Sequence, residues 1–399
     1  RMPSLVALKL DEISPQAELS SISQVISLTS LCLSTDRMDV LRSISSLTNL
    51  ETLELFVTGE ATDLTPIELL SDFEKLSIAS DQKLSLKPLT ALHKLIELDI
   101  SGSQSIDTIE SIAACKFLQK LCLQGACVDQ QTDMSALSQL TSLHQLKVDC
   151  YSATSLRSIG MLSSLKSLEL CLYNHTETVA NLSPIAALTE LRHLSIVDYE
   201  GLSISPLSFL TQLTSLQLLG CSTLCDLKPL EAMSDLITLD IRNTEVLSAA
   251  GLASLSRLES LFMGPCWDLP DISSISKLKN LKILYLRDMK SLAGLTLSNA
   301  SHLERLDLSG CEKIKTLSSQ NGFPNLCALN LNNCKAIDDI SFVSEATQLK
   351  SLSLQQCSSL SNIKPLAKLK DLEYLKLDNV PLLRDVSALG DLIQLRELY

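Results

Sequence analysis

The sequence predicts an α/β solenoid: a curved horseshoe with a parallel β-sheet on its concave face and short 3₁₀, α or irregular segments on its convex face. Three observations carry that prediction. A Leu-x-x-Leu-x-Leu pattern starts at Leu5, Leu28, Leu50, Phe73, Leu95, Leu118, Leu143, Leu165, Leu191, Leu213, Leu236, Leu258, Leu281, Leu303, Leu326, Leu349, Leu372 and Leu395, a mean spacing of about 23 residues. Apolar residues three apart fill the second half of each unit. The chain is also apolar without being aromatic, with 45% hydrophobic residues but only 4% Phe, Trp and Tyr. A small cross-section repeated along the molecule and filled by leucine would produce that imbalance.

Each unit opens on Leu-x-Leu, whose period of two is that of a short strand with leucines inward and the intervening residue outward. The return follows as triads such as Leu41/Ile44/Leu47, Leu86/Leu89/Leu92, Leu156/Ile159/Leu162, Ile204/Leu207/Leu210 and Ile363/Leu366/Leu369. A spacing of three suits a 3₁₀ turn or a very short helix. Proline recurs at Pro66, Pro88, Pro184, Pro206, Pro229 and Pro365, with Thr65, Ser183 and Ser205 before three of them. That reads as a hydroxyl N-cap followed by proline at the first helical position. Gly294 and Gln320 interrupt the triads, and extended or irregular returns are expected there. No unit can bury its own leucines, so residues 1–399 read as one array of about 17 full repeats. The array starts and stops within repeats, as an excerpt of a longer chain would.

Composition removes several function classes. Hydropathy averages +0.22, too apolar for disorder, and no stretch approaches the ~18 uninterrupted apolar residues of a membrane helix. With 33 basic against 46 acidic residues the net charge is -13, which argues against nucleic acid and anionic membrane as partners.

The repeat resembles the leucine-rich-repeat superfamily, and its unit length with the Pro-Leu return is most similar to the internalin-like subclass. Ser-Gly-Cys311 and Asn-Asn-Cys334 also resemble cysteine-containing repeats of plant immune receptors, F-box proteins and kinetoplastid repeat proteins. The resemblance implies a protein-interaction scaffold or adaptor, or else a sensing domain of a larger receptor or enzyme, or the substrate-recognition part of a ubiquitin ligase.

Of 13 cysteines, Cys221, Cys266, Cys311, Cys334 and Cys357 share one register, where asparagine is usual in that superfamily. A small thiol there can pack in the turn and donate weakly to nearby carbonyls. Residues one repeat apart form a line instead of a tetrahedron, and no Cys-x-x-Cys occurs, so no metal is expected. Mostly inward cysteines in odd number point to a cytoplasmic or nuclear location. Sequons at Asn174, Asn181 and Asn299 are as many as chance supplies, and carry no weight.

No phosphate-binding glycine loop, paired zinc ligands or nucleophile elbow is present. His93, His144, His175, His193 and His302 form no pair, and no two carboxylates are isolated in apolar surroundings. The expectation is a non-enzymatic segment without cofactor, which recognises a protein partner through outward residues of the concave face.

Two stretches are candidate contacts. Asp240, Phe262, Tyr285 and Asp307 fall in one lateral row across four units, with Arg242 and Arg287 beside it and Trp267 in the adjacent turn. Clustered aromatic and arginine side chains are the material of interface hot spots, although Phe262 and Tyr285 could simply stack across the ladder. Tyr151, Tyr173 and Tyr199 occupy the asparagine/cysteine register of three successive units, with Val197 and Leu219 extending an apolar patch beside them. A structural tyrosine ladder is the alternative there.

Overall fold

Leucines two apart put every second side chain on one side of an extended segment, and each Leu-x-Leu stretch forms a short strand. The computed structural model describes residues 4–10, 19–59, 63–126, 134–150, 153–172, 181–201, 203–267, 269 and 271–399. Its strands belong to two compact units, Arg1–Leu191 and Arg192–Tyr399.

In the first unit, strands Ala7–Leu10, Ser30–Thr35, Thr52–Val57, Lys75–Ser80, Glu97–Asp99, Lys120–Cys122, Gln145–Cys150 and Ser167–Leu172 pair in chain order, all parallel. The second unit repeats the arrangement with His193–Val197, Ser215–Leu219, Thr238–Arg242, Ser260–Gly264, Ile283–Leu286, Arg305–Asp307, Ala328–Asn330, Ser351–Ser353, Tyr374–Lys376 and Glu397–Leu398. Register is kept from repeat to repeat, so Leu194, Leu216, Leu239, Leu261 and Leu284 form one buried column. Complete burial of a leucine is worth roughly 1.5–3 kcal/mol, so the columns supply most of the cohesion between neighbouring repeats.

The proline-bearing returns are 3₁₀ turns, including Thr65–Leu69, Lys87–Ala91, Ser183–Ala187, Ser205–Phe209, Lys228–Ala232 and Lys364–Lys368. Met38–Ile44 and Ala153–Gly160 lack proline and wind instead into α-helix. The expected hydroxyl cap is corrected. Thr65, Ser183 and Ser205 are the first residues of their turns, and each needs an acceptor for its own N–H. Those acceptors lie two residues earlier: Asp63 Oδ1 at 2.9 Å, Asn181 Oδ1 at 2.8 Å and Ser203 Oγ at 3.1 Å. Asp226, Asp271, Asp339, Asn362 and Asp385 do the same for later turns.

The interrupted returns are extended, as expected at Gly294 and Gln320. Gly294–Leu297 and Thr316–Ser319 pair as a small parallel ladder of their own. Large side chains do enter the core where a repeat makes room: Phe73 replaces a leucine, and Phe323 and Tyr199 are also buried.

In the second unit the residue two past the last inward strand residue is left-handed: Asp198, Gly220, Asn243, Asp288, Gly310, Asn333, Gln356 and Asn379, with φ between 54° and 76°. Asn, Asp and Gly tolerate that conformation best. The turn aims its N–H sideways to the next repeat, as from Asp198 to Leu219 O at 2.8 Å and from Asn333 to Gln355 O at 2.7 Å. Pro265 holds this position after Met263, and there Gly264 carries the positive φ of 107°.

The register cysteines follow immediately. Cys311, Cys334 and Cys357 are fully buried, their thiols donating to Leu286 O at 3.0 Å, Leu308 O at 3.2 Å and Leu331 O at 3.2 Å. Burial pushes the Cys311 and Cys357 thiols up to about 12, far from the thiolate form at neutral pH. Alkylation with iodoacetamide at pH 8 is therefore expected to modify exposed Cys225 in the folded protein and to reach Cys311, Cys334 and Cys357 only after denaturation. Peptide mass mapping checks this; equal labelling of all four would contradict the buried ladder.

Candidate functional site

The sheet register brings the central candidate row together. Asp240 is the lateral partner of Phe262, Phe262 of Tyr285, and Tyr285 of Asp307. Phe262 and Tyr285 do meet across the ladder, edge to face, with ring centroids 5.1 Å apart. The stacking does not hide them, and both stay half-buried.

The two ends of the row mirror each other. The Arg242 guanidinium lies 5.7 Å from the Phe262 ring centroid and holds Asp240 with Nε at 2.9 Å and Nη2 at 2.7 Å. Arg287 lies 5.2 Å from the Tyr285 centroid and holds Asp307 with Nε at 2.8 Å and Nη2 at 2.7 Å. The aspartates are turned into the sheet, and only 5% of Asp240 and 4% of Asp307 is exposed. Each also accepts the backbone N–H two residues on, from Arg242 at 3.2 Å and from Ser309 at 2.9 Å. The hydrogen bonds that Arg242 donates to Asp240 raise its pKa above the ordinary value. Cations stacked on ring faces and fixed by buried carboxylates form a rigid, part-aromatic surface.

Trp267 stands beside the row, 59% exposed, with Lys290 Nζ 6.0 Å from its ring centroid. Lys290 is held by Glu312 Oε1 at 3.0 Å and Asp288 Oδ1 at 3.3 Å. Sequence reasoning missed Lys290 and Asn330, whose Nδ2 reaches Asp307 Oδ2 at 3.2 Å. Asn330 was legible as the next outward residue of the row, because its lateral partner is Asp307.

The tyrosine patch is not assembled in the same way. Tyr199 is 1% exposed, with its hydroxyl donating to Ser203 O at 3.0 Å, so it packs the core and offers nothing to a partner. Val197 and Leu219 are lateral neighbours and half-buried. Tyr151 and Tyr173 lie outside the described residues.

The first unit carries its own outward cluster, around an open cleft of about 340 Å³ that includes Glu54, Lys75, Glu97, Lys120 and Lys147. Glu97 bridges Lys75 at 3.2 Å and Lys120 at 3.0 Å, and Lys147 meets Glu169 at 2.9 Å. Burial opposes ionisation of Glu97, yet the two lysines hold its carboxyl below the ordinary range. These charges satisfy one another. Among the described residues no group of three or more His, Cys, Asp and Glu is arranged to hold a metal ion, and no helix is long and apolar enough to cross a membrane.

No protein-family model and no curated protein matches the sequence. Solved structures do match. A leucine-rich-repeat protein of Leptospira interrogans, LIC12759, is similar over 97% of this chain and 100% of its own, at 20% identity and a TM-score of 0.66. TLR13, in a complex with ssRNA13, is similar over 95% of this chain and 58% of its own, at 18% identity and a TM-score of 0.67. The functional domain of InlJ from Listeria monocytogenes, which includes a cysteine ladder, covers 90% of this chain and 70% of its own, at 20% identity and a TM-score of 0.57. At such identities the likeness establishes the fold: this is a leucine-rich-repeat solenoid.

The cytoplasmic or nuclear location expected from unpaired cysteines is overturned by these similarities, because the internalins and receptors with this fold are surface or extracellular proteins. InlJ shows that a cysteine ladder belongs to such a chain as well. The physical reason lies in the register. A thiol at this register, locked under a carbonyl of the preceding repeat, buried and protonated, is protected from oxidants whatever compartment surrounds it.

Proposed function

We propose that this chain is a protein-recognition scaffold, binding a folded protein partner on the outward face of the second unit's sheet with the row from Asp240 to Asp307 at the centre of contact. The observation that carries the reading is the pair of half-exposed rings, Phe262 and Tyr285, each capped by an arginine fixed on a buried aspartate. Rigid aromatic and arginine anchors lose little conformational freedom on binding, which is why they dominate interface energies. The leucine-rich-repeat fold is in general a scaffold for such recognition.

Nucleic acid is the less favoured partner. TLR13 is seen with single-stranded RNA on this fold, so the fold does not decide the matter; the net charge of -13 is what weighs against such a partner, because a phosphate backbone requires many cationic contacts. Affinity capture with the immobilised chain tests the reading. The double variant Phe262→Ala/Tyr285→Ala is expected to retain its circular-dichroism melt and to bind the captured protein about tenfold or more weakly. Unchanged capture would remove the row from the interface.

A further inference from the structure

We infer that the patch recognises an acidic segment of its protein partner, with one carboxylate on Arg242 and a second on Arg287. The inference rests on the protein-recognition reading above and adds the chemistry of the partner.

Each guanidinium has five N–H donors in a fixed plane. Arg242 turns Nε and one Nη2 hydrogen toward Asp240, and Arg287 turns the same pair toward Asp307. What remains on each is the end-on fork of Nη1 and the second Nη2 hydrogen, the edge that matches a carboxylate with two parallel hydrogen bonds. Exposure is divided the same way. The arginine side chains are 44% and 47% exposed, and the two aspartate side chains beneath them are 6% exposed. At this spot an acidic chain shows solvent its cations and buries their counter-charges.

Spacing completes the match. Gly264 is the lateral partner of Arg242 and lies against the backbone of Arg287, so the strands carrying the two arginines are two ladder steps apart, roughly 9.6 Å. An extended segment with acidic residues two apart presents both on one face and spans the pair. A nucleic acid would gain little from Lys290 beside them, which is already engaged by Glu312 and Asp288.

Trp267 is the sole tryptophan and stands beside the row, so its fluorescence reports occupancy. The full chain would be titrated with the synthetic peptide Glu-Leu-Glu-Leu-Glu, its Gln-Leu-Gln-Leu-Gln counterpart and a ten-nucleotide single-stranded RNA. Saturable change with the acidic peptide is expected, about tenfold weaker for the glutamine peptide and for Arg242→Gln/Arg287→Gln. Because those variants strand two buried carboxylates, Arg242→Lys/Arg287→Lys is the parallel test: it keeps the charge, removes the fork, and is also expected to bind about tenfold more weakly. Arg257→Gln, in an exposed pair with Asp235 outside the row, is expected to bind as the parent does. Equal binding of the glutamine peptide, full affinity in the lysine variant, or displacement of the acidic peptide by the RNA at lower concentration would each overturn the inference. Partner capture lost with Phe262→Ala/Tyr285→Ala but kept with the lysine variant would sink the acidic segment alone and leave the scaffold reading standing.

Discussion

Gly264→Ala is expected to lower the stability of the second unit by about 3–5 kcal/mol, although it adds a single methyl group. Two effects combine. The backbone at Gly264 has φ of 107°, a conformation that side-chain-bearing residues rarely adopt. A Cβ there would also sit 1.8 Å from the carbonyl oxygen of Arg287 and 2.9 Å from its carbon, both backbone atoms of the neighbouring repeat. The clash has no soft side: relief requires strands Ser260–Gly264 and Ile283–Leu286 to separate, against the leucine column that Leu261 and Leu284 share. Gly390→Ala is the internal control, since nothing lies within 4 Å of the added carbon, and it should melt with the parent protein. Thermal unfolding followed by circular dichroism compares the two; coincident melting of Gly264→Ala and Gly390→Ala would show that the close approach is not structurally required. Because the displaced strand separates Arg242 from Arg287, the same substitution should also abolish partner capture.

The row was legible in the sequence because a solenoid makes lateral neighbours computable. Once the repeat is found, Asp240, Phe262, Tyr285 and Asp307 share one offset from their strand leucines, and the parallel register delivers them side by side. Burial was not legible in the same way. Asp240 and Asp307 count as surface acids by position, yet each bends back to accept the N–H two residues on and is drawn beneath its arginine. Tyr199 shares its register with the cysteines, and whether a large side chain there turns out or in depends on the turn that follows, where its hydroxyl finds Ser203 O. The capping of the 3₁₀ turns was misplaced by two residues for a related reason. Proline announces where a turn begins, but the unsatisfied N–H belongs to the residue before it, and its acceptor lies further back at Asp63, Asn181 or Ser203.

Asp307→Ala separates structure from recognition at the other end of the row, and its expected cost is about 2–4 kcal/mol. Position decides the size. The exposed pair of Arg257 and Asp235, 2.9 Å apart with side chains 62% and 48% exposed, should contribute roughly 0–1 kcal/mol, since water and salt screen it. Asp307 is different: it is 4% exposed and receives Arg287, the Asn330 amide and the Ser309 N–H together. Alanine strands the last two in surroundings that water reaches poorly, while the half-exposed Arg287 can rehydrate. Asp307→Asn divides the effects. Its amide oxygen can still accept from Ser309, so most of the stability should return, but the charge that fixes Arg287 is gone. The expected pattern is therefore a low melting point and no capture for the alanine variant, and a near-parent melting point with weakened capture for asparagine. If the asparagine variant captured partner as the parent does, Arg287 would not need its buried carboxylate to be positioned, and the fixed guanidinium pair would lose its place in recognition.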